Sequence, residues 1–335
     1  MNNILYVPDK IPIVFASDDN YIPYMSTAIQ SIIENSNQAR DYLIYILHKG
    51  INEENITLLI EQIAPYKHFA IELINISDYI NKYNFFVSGH ITEESYYRLL
   101  IPYLFINYKK IIYLDCDMIV CTDISELYYI NIENYLIAAM RDIDVINWYF
   151  GKGKTKNLKG YRNSLNILKN PENYFCAGLC IFNIELFQKL ISQEKIFKLA
   201  LSNNWDFHDQ DILNILCEDK TLLLTYHWGF YSTNCIDYLP ECYLNEYLDA
   251  EKNPKIIHYV YKPWNYNYYI YHFEYFWKYA TRTPFINVII KKMNVPKVFS
   301  FRNDIIDNII NRKGIGIKFI LYDCVKAWIC RKRKK

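Results

Sequence analysis

The segment IIYLDCDMIV, residues Ile111–Val120, is informative about both the fold class and the expected chemistry. Its first four residues are large, apolar and free of Gly and Pro, which predicts a buried strand. Asp115 and Asp117 follow at the carboxyl end, where ligands bind in doubly wound sheets, and side chains two residues apart share a face. Two adjacent carboxylates suit Mg²⁺ or Mn²⁺, which leave coordination positions open for phosphate oxygens. The stretch therefore predicts a cation site that stabilises a departing nucleoside diphosphate, although a solvated turn can carry the same triplet.

Outward from this stretch, short apolar runs alternate with segments that carry apolar residues three and four apart. That alternation predicts an α/β fold with a doubly wound, mixed and mostly parallel sheet. Further strands are predicted at Ile13–Ala16, Tyr42–Leu47, Ile71–Ile74 and Gly178–Phe182. Helices are predicted at Tyr24–Glu34, Glu53–Ile63, Glu93–Leu104, Ile184–Leu201 and Asp209–Leu216.

Composition limits the class of protein. The 335 residues carry 37 basic and 36 acidic side chains, and a net charge of +1 gives no global field for nucleic acid. Nine cysteines without a C-x-x-C pair, and an N-terminus without a secretory layout, predict reduced thiols and a cytoplasmic protein. Charged residues interrupt every apolar run well before the roughly 18 residues that span a bilayer, so no transmembrane helix is expected.

The C-terminal part of the chain differs in character from the rest. We expect one α/β domain over residues 10–284 and a helical, basic extension over residues 285–335. Ile317–Cys330 has an apolar side and a polar side that carries lysines, and all five residues of Arg331–Lys335 are basic. Such a segment can lie on an anionic membrane, which predicts peripheral binding to the inner face of the cytoplasmic membrane. A helix docked on the domain with a solvated basic tail is the alternative.

Three more polar stretches are candidates for a binding site. Asp18 and Asn20 follow the first predicted strand and can bind a base or ribose, or else cap the next helix. FHDQDIL, residues Phe207–Leu213, gathers hydrogen-bonding side chains at a helix start. In IIHYVYKPW, residues Ile256–Trp264, the histidine can ligate a metal, the lysine can hold a diphosphate and the tryptophan can form an apolar platform; a lone histidine after a strand is also commonly structural.

Taken in order, these stretches resemble the retaining glycosyltransferases of family 8, a group that includes bacterial lipopolysaccharide galactosyl- and glucosyltransferases. The resemblance runs from Pro12 to Pro284. The segments that carry it are FASDDNY from Phe15, HITEESYYRL from His90, YLDCDMIV from Tyr113, AAMRDID from Ala138, YFCAGLCIFN from Tyr174, HDQDILN from His208 and HYVYKPW from His258.

The resemblance implies a GT-A fold with a nucleotide-sugar site at the strand carboxyl ends. It implies UDP-galactose or UDP-glucose as donor, a lipopolysaccharide, lipooligosaccharide or other cell-surface glycan or glycolipid as acceptor, and Mn²⁺ (or Mg²⁺) held by Asp115, Asp117 and His258. The residues expected at the nucleotide and diphosphate are Asp18, Asn20, His90, Arg98, Cys116 and Lys262. The residues expected to act catalytically at the transferred sugar are Gln210, Asp142 and Asp209.

The chain departs from the family pattern at three places. Cys176 stands where the family commonly has Asn before Ala-Gly, which removes an amide near the donor sugar. HYVYKPW lacks the glycine of the longer family form, and this alters the surroundings of Lys262. Trp228-Gly229 replaces the common Trp-Asn, on what we expect to be the acceptor side.

Two other functions are compatible with a nucleotide and metal site at a strand edge. A sugar-phosphate nucleotidylyltransferase would carry a glycine-rich loop near the N-terminus, and VFASDDNYIPY, which begins at Val14, contains no glycine. A sugar-binding scaffold without catalysis would lose metal ligands, yet both acids and the histidine are present. For a transferase, retention can follow from a covalent intermediate on Asp142 or from acceptor attack on the departing face, and the sequence leaves both routes open.

Overall fold

Nine strands form two sheets in the part of the chain that the computed structural model describes, which is residues 4, 6–88, 92–151, 166, 168–231, 233, 236–265 and 272–293. The strands are β1 (Lys10–Ala16), β2 (Asp41–His48), β3 (Phe69–Asn75), β4 (Lys110–Leu114), β5 (Met118–Val120), β6 (Ile137–Met140), β7 (Leu179–Asn183), β8 (Thr221–Leu224) and β9 (Ile256–His258). His90 and residues 294–335 lie outside the described residues, so the expectations made for them stay predictions.

The larger sheet has seven strands in the order β3-β2-β1-β4-β7-β6-β8. β1 runs parallel to both β2 and β4, β2 runs parallel to β3, and β6 runs parallel to β8. Only β7 is reversed, and it pairs antiparallel with β4 on one side and β6 on the other. The predicted mixed, mostly parallel sheet is therefore confirmed, and its two parallel halves join at β7.

The described helices cover both faces of this sheet. They are α1 (Ile22–Asn35), α2 (Glu53–Ile63), α3 (Ser77–Ile80), α4 (Ile101–Leu104), α5 (Ser125–Tyr128), α6 (Ile143–Phe150), α7 (Ile184–Leu190), α8 (Gln193–Ala200), α9 (His208–Cys217), α10 (Glu241–Lys252), α11 (Phe273–Ala280) and α12 (Ile286–Lys292). Short 3-10 helices occupy Glu93–Leu100, Pro171–Asn173, Glu218–Lys220 and Tyr226–Trp228.

Two predicted helices are broken in the structure. The segment predicted as one helix over Glu93–Leu104 is a 3-10 helix followed by α4, and Pro102 lies in the first turn of α4. Proline has no amide hydrogen to donate to the preceding turn, so it suits a helix start better than a helix interior. The segment predicted over Ile184–Leu201 divides where Ile191 is extended and Ser192 caps α8 by accepting a hydrogen bond from the Lys195 amide.

Alternate residues of β1 enter different hydrophobic cores because successive side chains of a strand point to opposite faces. Ile13 and Phe15 pack with α1 and α2, whereas Val14 packs with the 3-10 helix Glu93–Leu100 and α9. β1 is buried from its second residue onward, as expected for a strand of a sheet covered on both faces. This packing fixes the carboxyl end of β1 beside that of β4.

The small sheet joins two motifs that are far apart in sequence. β5 pairs antiparallel with β9, with Met118 opposite His258. The amide of Tyr259 also donates to the carbonyl of Asp117 at 2.9 Å. The pairing places the histidine of HYVYKPW directly against the acids of YLDCDMIV.

A third core attaches the last described helices to α1. Trp264 stacks on Tyr24 with ring centroids 3.7 Å apart and an interplanar angle of 9°, and only 6% of Trp264 is exposed. Trp264 therefore packs α1 against the C-terminal helices instead of forming the expected platform at the site. Ile289 of α12 packs in the same core as Phe276 of α11, so this packing continues past residue 284. Within the described residues, no helix combines the length and apolarity that crossing a bilayer requires.

Candidate active site and metal centre

A cavity of about 530 Å³ opens where the carboxyl ends of β1 and β4 meet α9 and the segment after β9. This volume lies in the range of small-molecule sites, roughly 300–1,000 Å³. The predicted site residues that line it are Asp18, Arg98, Asp115, Cys116, Asp117, Asp142, Asp209, Gln210, His258 and Lys262. Asn20 is not among the lining residues; its side chain is exposed and donates to Asp18 Oδ2 at 2.9 Å.

Three predicted metal ligands converge in this cavity. One ligand atom from each of Asp115, Asp117 and His258 lies within 4.8 Å of the others. Asp117 Oδ1 is buried without a hydrogen bond, 3.3 Å from His258 Nε2. Two carboxylates and an imidazole are a suitable donor set for Mn²⁺. These residues therefore fit a divalent cation.

Gly178 makes room for this triad. A Cβ atom at residue 178 would lie 2.8 Å from His258 Cε1 and 2.9 Å from Asp115 Oδ2. The Gly178 carbonyl accepts from the Asp115 amide at 2.8 Å, which holds the two backbones together. Glycine is thus required here because the ligand side chains occupy the space of a side chain.

The charge on Asp117 is stabilised from two sides. Burial alone would raise the pKa of Asp117, but the Lys262 ammonium and the His258 imidazole outweigh it and hold this pKa below its usual range. Lys262 donates to Asp117 Oδ2 and to the Tyr259 carbonyl. Burial would lower the pKa of His258, whereas the Asp117 carboxylate raises it to about 10. The site therefore presents an anionic Asp117 next to a lysine predicted to reach the diphosphate.

Arg98 is buried at the centre of the cavity wall. Its Nη2 donates to Asp115 Oδ1 at 2.8 Å, its Nε lies 2.9 Å from Asp209 Oδ2, and its Nη1 donates to the Ala177 carbonyl. Burial opposes its charge, but Asp115 and Asp209 raise the pKa of Arg98 well above its ordinary value. Burial raises the pKa of Asp209 to about 6 against the opposing effect of Arg98. Both Arg98 and Asp209 are therefore held in an ion pair at the cavity wall.

Asp142 and Gln210 are hydrogen-bonded neighbours in the cavity wall. Gln210 Oε1 accepts from the Ala177 amide at 2.9 Å, and its Nε2 donates to Asp142 Oδ2 at 3.1 Å. The other oxygen of Asp142 accepts from the Val145 amide at 3.1 Å, which caps α6, and from the Tyr231 hydroxyl at 2.9 Å. Burial raises the pKa of Asp142 despite these donors. Hydrogen bonds at both its oxygen and its nitrogen therefore fix the orientation of the Gln210 side-chain amide.

Asp18 does not cap α1, which follows Tyr21 without a side-chain cap, and the expected contact of Asp18 with a base or ribose stays a prediction. Its Oδ1 accepts from the Tyr21 amide at 2.9 Å and closes the turn before α1, and the residue also lines the cavity.

Packing explains why glycine occupies position 229, where the family commonly has asparagine. A Cβ atom at this position would lie 2.5 Å from the sulfur of Met140, so the asparagine common in the family would not fit here without rearrangement.

Sequence reasoning missed three residues that shape the site. Tyr113 donates from its hydroxyl to Asp115 Oδ1 at 2.7 Å, and its position two residues before Asp115 gave a usable signal because such residues share a face. Gly178 and Tyr231 gave no such signal, because their roles depend on partners distant in sequence.

The sequence also matches known proteins. The profile of Glycosyl transferase family 8 matches residues 12–268. General stress protein A of Bacillus subtilis strain 168 is 31% identical over 267 residues, which cover 76% of this chain and 87% of that protein.

Two solved structures share the fold. The apo structure of WbbM, a bifunctional glycosyltransferase, superposes with a TM-score of 0.76 at 25% identity and covers 87% of this chain and 53% of its own. The galactosyltransferase LgtC, in complex with donor and acceptor sugar analogues, superposes with a TM-score of 0.67 at 21% identity and covers 88% of this chain and 99% of its own. The expected GT-A fold is confirmed by these matches.

The space at Gly178 gives a direct test of the metal centre. Gly178→Ala should weaken Mn²⁺ affinity by roughly tenfold or more, because the added methyl group displaces His258 or Asp115. The measurement is Mn²⁺ titration followed by electron paramagnetic resonance. Gly50→Ala is the matched control, since no atom lies within 4 Å of its added Cβ. Equal Mn²⁺ affinity in both variants would contradict the assigned ligands.

Proposed function

The chain belongs to glycosyltransferase family 8, and from that premise we propose that it is a metal-dependent, retaining hexosyltransferase. It moves galactose or glucose from a UDP-sugar to a cell-surface glycan such as lipopolysaccharide or lipooligosaccharide. The observation that carries the proposal is the meeting of Asp115, Asp117 and His258 in one cavity with Asp142 and Gln210. The candidate cation ligands and the hydrogen-bonded pair of Asp142 and Gln210 thus line the same cavity.

In this proposal, the nucleotide binds at the carboxyl ends of β1 and β4. Asp18 lines that end of the cavity and has carboxylate oxygens able to accept from the uracil or ribose. Cys116 lines the same region and donates from its thiol to the Ala16 carbonyl at 3.1 Å, which ties the ends of the two strands together. The donor therefore lies at the edge where parallel sheets bind ligands.

The leaving group departs as an anion in this mechanism. When bound, a divalent cation held by Asp115, Asp117 and His258 supplies Lewis-acid stabilisation of the diphosphate. Lys262 lines the same cavity next to Asp117 and adds a positive charge there. Protonation of the leaving oxygen by a carboxylic acid, as in glycosidases, is then unnecessary. Arg98 acts less directly, by holding the carboxylate of Asp115 in place.

Gln210, Asp142 and Asp209 form the sugar side of the site. The Gln210 amide is held by the Ala177 amide and by Asp142, so its dipole is preorganised. A preorganised carbonyl oxygen can stabilise positive charge on the anomeric carbon. Asp142 accepts three hydrogen bonds, which tie its carboxylate to the Val145 amide, the Tyr231 hydroxyl and Gln210 and favour a sugar-positioning role, with acceptor attack on the departing face, over a covalent intermediate. Asp209 supports the site through its ion pair with Arg98.

The two rival functions each lack support. A nucleotidylyltransferase does not account for membership of this family. An inactive scaffold does not account for a complete Asp-Asp-His group with a buried, unbonded carboxylate oxygen and a glycine that clears space beside it.

The C-terminal extension is proposed as a membrane-surface segment. Of the extension predicted over residues 285–335, α12 packs on the domain predicted over residues 10–284, so the proposal concerns the tail after α12, which ends in five basic residues. A cytoplasmic enzyme held at the inner face of the membrane by this tail would meet glycolipid acceptors there.

Donor turnover tests the proposed reaction. The purified chain, incubated with Mn²⁺ and a panel of UDP-sugars, should release UDP from UDP-galactose or UDP-glucose, and Asp117→Asn should lower the rate by at least ~10²-fold because a metal ligand is lost. Asp219→Asn is the control, since it removes an exposed carboxylate that pairs with an exposed lysine. If Asp117→Asn keeps the wild-type rate in the presence of chelator, the metal-dependent reaction is wrong.

Truncation after Lys313 tests the membrane segment. The shortened protein should lose co-sedimentation with vesicles rich in anionic phosphatidylglycerol, while its UDP release with a soluble acceptor stays unchanged, because only the tail contacts the vesicle. A full-length variant with Arg331–Lys335 replaced by glutamine separates the contribution of charge from that of apolar area. Equal vesicle binding by full-length and truncated protein would leave the tail without a membrane role.

A further inference from the structure

Cys176 lies beside the metal-ligating histidine. It precedes β7, lines the cavity and is 7% exposed. Its sulfur is 3.8 Å from His258 Nδ1, within hydrogen-bond distance for sulfur. The Cys176 amide donates to the Met140 carbonyl at 2.9 Å, which fixes the backbone at this position. The thiol is therefore held against one specific ring nitrogen.

The two nitrogens of His258 face different partners. Nε2 is 3.3 Å from Asp117 Oδ1, on the side of the other two metal ligands. Nδ1 faces the sulfur of Cys176. A histidine that binds a metal through one nitrogen carries its hydrogen on the other, and the acceptor of that hydrogen sets the ring orientation. Thiol sulfur is a weak acceptor, but an available one.

Other contacts leave the ring little freedom to turn. The ring of Tyr231 packs edge-on against His258, with centroids 6.0 Å apart and an interplanar angle of 79°. A Cβ atom at residue 178 would lie 2.8 Å from Cε1, so the chain at Gly178 passes close to this side of the ring. Packing therefore fixes the plane of the ring. Within that plane, a hydrogen-bond partner at Nδ1 favours the orientation in which Nε2 points toward the cation.

We infer that Cys176 is a positioning residue for the metal centre: its sulfur accepts the Nδ1 hydrogen of His258 and so directs Nε2 toward the cation. The inference rests on the proposed metal-dependent function. It also gives a role to the position where the family pattern commonly has asparagine, because an amide oxygen can accept the same hydrogen. Cys176 then tunes cation affinity without being a ligand of the cation.

Mn²⁺ affinity of the full chain, measured by electron paramagnetic resonance with Mn²⁺ alone and with Mn²⁺ plus UDP, tests the inference. Cys176→Ala removes the acceptor and should weaken Mn²⁺ binding ~10- to 100-fold, the range seen when partners of metal ligands are lost. Cys176→Ser and Cys176→Asn keep an acceptor and should restore affinity to within a few-fold of wild type. Cys217→Ala, which truncates another fully buried thiol in the core at the end of α9, should bind Mn²⁺ as the wild type does.

A kinetic measurement separates positioning from a merely structural role. In Cys176→Ala the Mn²⁺ concentration for half-maximal UDP release should rise, while kcat at saturating Mn²⁺ stays close to wild type. Wild-type Mn²⁺ affinity in a folded Cys176→Ala protein overturns the inference, as does equal weakening in the serine variant. The variant His258→Ala distinguishes failure of the Cys176 inference from failure of the proposed function. If His258→Ala also keeps the wild-type Mn²⁺ affinity, the metal assignment itself is wrong.

Discussion

The guanidinium of Arg98 brings a permanent positive charge into the protein interior, and much of the site is arranged around it. The residue is 5% exposed, and its guanidinium lies over the ring of Tyr113, 4.5 Å from the ring centroid. Two carboxylates and two backbone carbonyls, those of Ser95 and Ala177, satisfy it. Removing one member of such a buried pair costs about 3–5 kcal/mol, because the remaining charge is left uncompensated. Arg98 thus fixes the carboxyl end of β4 relative to α9 and to the segment before β7.

This constraint also prepares the metal centre. Arg98 and Tyr113 both donate to Oδ1 of Asp115, which leaves Oδ2 on the side of Gly178 and His258. The two oxygens of Asp117 also differ: Oδ2 accepts a hydrogen bond from Lys262, whereas Oδ1 has no hydrogen bond and lies beside His258. In each acid one oxygen is held by a cationic side chain and the other is available as a ligand. Preorganisation of this kind avoids reorganisation when charge develops during the reaction.

Much of this arrangement was predictable from the sequence, because its signals are local. A buried strand followed by Asp115 and Asp117 predicts a site at the sheet edge, whereas most of the other predicted site residues were implied by the family resemblance; ten of the twelve line the cavity. The pairing of β5 with β9, which delivers His258, was not predictable, since both strands are only three residues long. Trp264 was misassigned for a similar reason: its stacking partner, Tyr24, is 240 positions away in the chain.

In our proposal the strand-end acids and His258 form one cation site that binds a nucleoside diphosphate. Anomalous diffraction at the manganese edge, from crystals grown with Mn²⁺ and UDP, tests it most directly. We expect one strong peak in contact with Asp115, Asp117 and His258, with the diphosphate of UDP beside it. Density for UDP in the cavity with no manganese peak at these three residues, or with the peak elsewhere, would contradict it.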